Sequence, residues 1–222
     1  MRWIRIFARN TSLRQLLAVL DIRIILMRLE YMVIFFAMMS YLLYQYLNGG
    51  PGNLVVMEAS DGKKYQVQDL PGKNDAVEMM SKINANLEKV VAFYSGEEYE
   101  QDVPAKLLVE RYKPNRVMEN SVTSPDTSYS ENKGEKIVIC LRDKTAPPSY
   151  PLVDLNTVMF VVLHEMAHLM TESLSSHQHT REFWANFRRL LEDASKIGIY
   201  SPVNYSREPI DYCGMKITDS PL

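Results

Sequence analysis

VVLHEMAHLM, residues 161–170, sets His164-Glu165-Met166-Ala167-His168 inside an apolar run. In a helix, positions four apart lie on one face, about 6 Å apart along the axis, so His164 and His168 can offer imidazole nitrogens to a single ion. Glu165 projects beside them, close enough to hydrogen-bond a water without being a ligand. Nitrogen donors with an open fourth position suit zinc in tetrahedral catalytic sites. The surroundings favour this reading. Leu155, Val158, Met159, Val161, Val162, Leu163, Met166 and Leu169 make the helix apolar nearly all round. Such a helix is buried, and imidazoles and a carboxylate buried with it need partners that a metal supplies.

A catalytic zinc needs a third protein ligand, and three candidates follow. Glu172 lies one turn further along the same row, where three ligands would spread over roughly 12 Å and fail to converge. His177 and His179 lie past Ser173–Ser176, where the chain can turn back. His179 opens HTREFWANFRRLL, whose Phe183, Phe187, Leu190 and Leu191 form one helical face, and it stands four residues before Phe183 on the core side. His177 has Arg181 at the corresponding position and faces solvent. The spacing favours His179. Thr171 and Leu174 occupy the positions that a metzincin extension fills with glycine and histidine.

Upstream, Leu54–Ala59 and Lys64–Asp69 are strand-like and flank the turn signal Ser60-Asp61-Gly62. Asn74 or Asp75 is expected to cap a helix reaching Tyr94, with Val77, Met80, Ile83, Leu87 and Val91 on one face. Pro104 suits the first turn of a short helix through Tyr112. Lys113–Ser130, rich in Pro, Asn and Ser, reads as a long surface loop. Ile137–Leu141 is a β-prone stretch entered through a glycine turn at Gly134.

The 222 residues suffice for one domain of ordinary size plus an appendage, and 46% hydrophobic content excludes a disordered chain. Two cysteines exclude a disulfide-built scaffold, and lone buried thiols are the expected state of Cys140 and Cys213 unless the compartment is oxidising. Charge is split along the chain. Residues 1–47 hold six arginines against Asp21 and Glu30, which leaves 19 basic and 25 acidic residues in the remainder. An acidic body lacks the broad basic surface that nucleic acid requires, so no nucleic-acid partner is expected.

Tyr31–Leu47, YMVIFFAMMSYLLYQYL, carries no charge and as a helix would span roughly 25 Å, the short end of a bilayer core. Its four tyrosines suit an interface. This run is expected to be a transmembrane anchor in the lipid bilayer, following a basic segment, 1–30, and preceding a flexible linker, 48–53, with the catalytic body at 54–222. Arginines ahead of the span predict a cytoplasmic N-terminus with the body across the membrane. The acid-free, Arg-rich residues 1–20 also allow a mitochondrial transit peptide.

The ordered pattern Asn132, Gly134, Ile137, Leu141 and Arg142, then His164, Glu165, Ala167 and His168, then His179 and Phe183 resembles the WLM-type zinc metallopeptidases, relatives of the SprT family. Residues 54–222 are similar to the forms that large DNA viruses encode. The resemblance implies an α+β, zincin-like domain with a small sheet packed on the HExxH helix. It also implies that Ile137, Val138, Ile139 and Cys140 form a cleft-edge strand onto which an extended protein or peptide substrate adds.

Together these features imply a membrane-anchored endopeptidase in which His164, His168 and His179 hold Zn2+ and Glu165 is the general base. Tyr205 and Tyr212 are candidate oxyanion donors, with packed tyrosines as the plainer reading. The rival is a catalytically idle membrane or virion structural protein on the same fold. DNA-linked protein repair is a third reading. Asn204-Tyr205-Ser206 is a glycosylation sequon, usable only if the body is lumenal.

Overall fold

The computed structural model describes residue 23 and residues 27–43, 53–132, 134–172 and 179–222. Two units emerge, Met1–Gly50 and Pro51–Leu222. In the first, residues 27–43 form helix α1, and every one of its side chains is exposed, Phe35 and Phe36 among them. The helix begins ahead of the expected start at Tyr31 and takes in Arg28 and Glu30; residues 44–47 of the expected anchor lie outside the described residues. Among the described residues no helix is long and apolar enough to cross a membrane.

The second unit is an α+β domain. Strands β1 (Leu54–Glu58) and β2 (Lys64–Gln68) pair as the antiparallel hairpin that the alternation and turn predict. Helix α2 (Lys73–Tyr94) follows and buries Ala76, Val77, Met80, Ile83, Leu87 and Val90, a stripe of i, i+3/i+4 spacing. Its cap differs from expectation. Gly72 precedes the first turn, and Asp75 lies inside that turn, where its charge opposes the helix dipole favourably. Helix α3 (Val103–Arg111) starts at Asp102, whose side chain accepts the Ala105 N–H at 2.9 Å. Arg189 donates to the same Asp102 carboxylate at 2.7 Å and lies over the rings of Tyr94 and Tyr99, tying α2 and α3 to the last helix.

The segment 113–130 is not a plain surface loop. It contains β3 (Val117–Glu119) and leads into β4 (Tyr129–Glu131), which flank β5 (Lys136–Ile139) in the order β3-β5-β4. Neighbour β3 runs parallel to β5 and β4 antiparallel. Three-residue strands show no periodicity of their own; tertiary pairing makes them. A buried ion pair fixes this corner, with Arg142 Nε on Glu119 Oε1 at 2.8 Å and both side chains about 1% exposed or less. Glu119 also accepts the Gln68 N–H at 2.6 Å, joining β2 to β3.

Helix α4 (Leu155–Met170) is capped by Asp154 and buried nearly all round, as its composition predicts. Its C-terminal carbonyls are bound from outside: Arg111 Nη1 donates to Leu169 O at 2.8 Å and Thr171 O at 2.9 Å, and Asn186 to Met170 O. Gly134 passes through the same crowded point with φ +102°, where a Cβ would lie 2.8 Å from both Arg111 O and the Leu169 side chain. That closeness explains the glycine before β5. Helix α5 (Arg181–Lys196) is capped by Thr180 and lays Phe183, Phe187, Leu190 and Leu191 against the core. The chain ends in a second hairpin, β6 (Ile210–Tyr212) and β7 (Met215–Ile217), turned by Cys213 and Gly214, both at positive φ. Such a two-residue turn matches the twist of the strands it joins.

Candidate metal centre

The cap at Asp154 starts α4, so His164, Glu165 and His168 fall in its last two turns. His179 immediately precedes the cap of α5 and returns to the same point. One nitrogen from each of His164, His168 and His179 lies within 4.8 Å of the others, and the Nε2 atoms of His164 and His179 are 3.1 Å apart. Phe183 supports all three rings, with centroid distances of 4.8, 4.4 and 4.6 Å to His164, His168 and His179. Its ring fixes their spacing. Burial, with His168 and His179 close by, holds the His164 imidazole down to about 3, and burial also lowers His179, opposed by nearby Asp219. A neutral imidazole keeps the lone pair that a metal needs.

The donor set fits zinc. Bonds of 2.0–2.1 Å at a tetrahedral ion would separate two ring nitrogens by about 3.3 Å, close to the His164–His179 separation. Glu172, the third-ligand candidate on the α4 row, is exposed beyond that helix, with its N–H on Glu182 Oε1 at 2.7 Å, and does not join the cluster. His177 lies outside the described residues.

Glu165 is 5% exposed and borders the same cavity as His164 and His179. Burial pushes its carboxyl up to about 7, against hydrogen bonds from the hydroxyl and backbone N–H of Ser130 that pull it down. Ser130 belongs to β4, so the edge strand of the sheet holds the glutamate. The sequence reading missed Ser130 because nothing in a three-residue strand marks it.

Two expectations need correction. Ile137, Val138, Ile139 and Cys140 do not form the cleft edge. Strand β5 has β3 on one side and β4 on the other, and these four residues are buried, leaving no free edge for another strand. The edges of this sheet are β3 and β4, and Ser130 beside Glu165 lies on β4. Cys140 and Cys213 are not lone thiols but form a disulfide, with Cα atoms 6.3 Å apart across 73 residues of sequence. Tyr212 beside it is buried and donates to Cys140 O at 2.8 Å, with Ser128 Oγ at the same distance. Tyr205 is also buried, edge-on to Phe160, with its hydroxyl 3.4 Å from Thr157 Oγ1. Both hydroxyls are engaged structurally. Asn204 of the sequon donates to Leu222 O at 2.6 Å, and Tyr205 inside it is buried, so a glycan would displace the end of the chain.

Comparison with known proteins places residues 60–208 on the WLM domain model, two thirds of the chain. The chain belongs to the WLM domain family. An uncharacterized protein of Acanthamoeba polyphaga mimivirus is 30% identical to this WLM protein over 165 residues, covering 72% of this chain and 80% of the relative. Uncharacterized proteins of Invertebrate iridescent viruses 6 and 3 are 37% and 36% identical, over 33% and 42% of this chain and 38% and 54% of their own. Among solved structures, a Wss1 mutant from Saccharomyces cerevisiae aligns with a TM-score of 0.42 at 19% identity, covering 60% of this chain and 91% of that one. The family match ends before β6, so the C-terminal hairpin and Cys213 lie beyond it.

Proposed function

We propose that this WLM protein is a zinc-dependent endopeptidase held to a membrane by its N-terminal segment. The convergence of His164, His168 and His179 beside the buried Glu165 carries the reading. These three histidines would hold the ion, which when bound supplies Lewis-acid chemistry, acidifying water and polarising a carbonyl. Glu165 accepts the proton of the attacking water and returns it to the leaving amine. Ser130 of β4 stands beside the Glu165 carboxylate and favours its charged form. The outer edge of β4, next to Ser130, receives an extended substrate as an added strand. The packing of α4, which carries His164 and His168, against this sheet supports a zincin-like reading.

The charge-free run 31–47 and the exposed apolar side chains of α1 support the anchor, which takes in residues 44–47 beyond the described helix. The Cys140–Cys213 disulfide supports a body in an oxidising compartment, across the membrane from the arginine-rich N-terminus. The scaffold alternative has no use for a glutamate buried beside three histidines. The purified full chain in detergent should cleave unfolded casein, lose this activity to a chelator and regain it with zinc. Intact casein after zinc loading sinks the proposal.

A further inference from the structure

A cavity of about 290 Å³ opens beside His164 and Glu165, and more of its surface is apolar than polar. At about 30 Å³ per water it has room for roughly ten waters, or one large side chain. Its floor comes from Phe160 and Phe187, both buried, and its opposite wall from Met215 and Ile217 of β7. Charge comes from the exposed Lys216 and Asp219 and from the buried Glu165 carboxylate at the metal centre. The wall is fastened three ways: by the Cys140–Cys213 disulfide, by the Tyr212 hydroxyl on Cys140 O, and by Thr127 Oγ1 on Met215 Sδ at 3.5 Å. All three bind it to Cys140, just after β5, or to the segment leading into β4. The wall lies outside the residues matched to the family.

We infer that this cavity is a side-chain subsite that selects a large apolar residue beside the scissile bond, with the disulfide-held β6–β7 hairpin as its specificity wall. The inference rests on the peptidase reading and names the substrate class for the same site. A leucine or phenylalanine side chain would leave water for the apolar surface of Phe160 and Phe187, whereas an alanine would leave that surface unfilled and an aspartate would lose hydration against it and stand beside the Glu165 carboxylate. Discrimination between a large apolar and a small or acidic residue should therefore reach at least about tenfold.

The test uses the full chain in detergent, loaded with zinc. Cleavage sites in unfolded casein, mapped by mass spectrometry, give the residue next to the cut. Peptides that differ only there, carrying Leu, Phe, Ala or Asp, then give relative kcat/KM. Leu and Phe should exceed Ala and Asp by at least about tenfold. In Met215→Glu, changed at a half-exposed side chain, and in Cys213→Ser the ratio should fall below about threefold while zinc content stays at the wild-type value. Equal cleavage of all four peptides overturns the subsite and leaves the peptidase reading standing. A preference unchanged in both variants overturns the role of the hairpin. No cleavage of casein or any peptide removes the peptidase reading, and the subsite with it.

Discussion

His164 Nε2 and His179 Nε2 face each other at 3.1 Å, although fifteen residues and a helix end separate them in sequence. Two neutral imidazoles brought this close, with His168 beside them, hold three nitrogen donors around one point. Phe183 packs against all three rings, so the α5 helix that delivers His179 also sets the geometry. Metal loading and the docking of α5 on α4 should therefore be linked, because two ligands sit on α4 and the third directly precedes the cap of α5.

Ser130 is the residue whose effect separates chemistry from binding. Ser130→Ala removes the hydroxyl that stands beside the Glu165 carboxylate and favours its charged form, and keeps the backbone N–H. Losing this polar neighbour is worth about 0.5–1.5 kcal/mol, so kcat should fall roughly 2- to 10-fold with KM little changed. Steady-state kinetics on a casein-derived peptide checks this, and a rise in KM at unchanged kcat counts against it.

Arg142 is fully buried and reaches Glu119, Pro71 O and Tyr150 O. Arg142→Met strands the Glu119 carboxylate in the core, at a cost of about 3–5 kcal/mol. The double variant Arg142→Met, Glu119→Met should recover much of that loss. Urea unfolding of the three proteins checks the order; a single variant as stable as wild type contradicts it.

Asp102 gives a pH signature. The hydrogen bond from Arg189 holds its carboxyl below the ordinary value, and the Ala105 N–H adds to this. A depressed folded pKa contributes stability that is present above the unfolded value, near 3.9, and is lost as pH falls through the folded one. Asp102→Asn keeps a capping side chain and removes the charge. It should be less stable by up to about 1 kcal/mol at pH 7, with the gap closing below about pH 4. Thermal melts across pH measure it.

Reduction of the Cys140–Cys213 bond frees a closed loop of 73 residues in the unfolded chain. Stability should drop by about 2–4 kcal/mol in a phosphine reductant, which leaves metal thiol chemistry out of the comparison. An unchanged melting temperature on reduction would mean that the bond carries no stability.

The parts of this molecule that were legible in the sequence are those with local periodicity. The stripe from Ala76 to Val90, the Leu54–Gln68 hairpin and the apolar α4 carry their own patterns, and His164, Glu165 and His168 are tied by a helical repeat. His179 was reachable because it shares the face of Phe183. What escaped depends on partners distant in sequence. Val117–Glu119 becomes a strand only against β5, and Ser130 finds Glu165 only because β4 is the sheet edge. The central position of β5 could not be read from Ile137–Cys140, since a continuous apolar run is silent about which neighbours flank it. The Cys213-Gly214 turn between Ile210–Tyr212 and Met215–Ile217 went unread, since Cys-Gly is not a usual two-residue hairpin signal, and it carries both the disulfide and the cavity wall.

The most direct measurement pairs zinc content with casein cleavage in the full wild-type chain, Glu165→Gln and His179→Ala. Near one zinc per chain with cleavage in wild type, near one zinc without cleavage in Glu165→Gln, and lost zinc in His179→Ala are the expected results. Full cleavage by Glu165→Gln, or zinc retained without His179, would contradict the account.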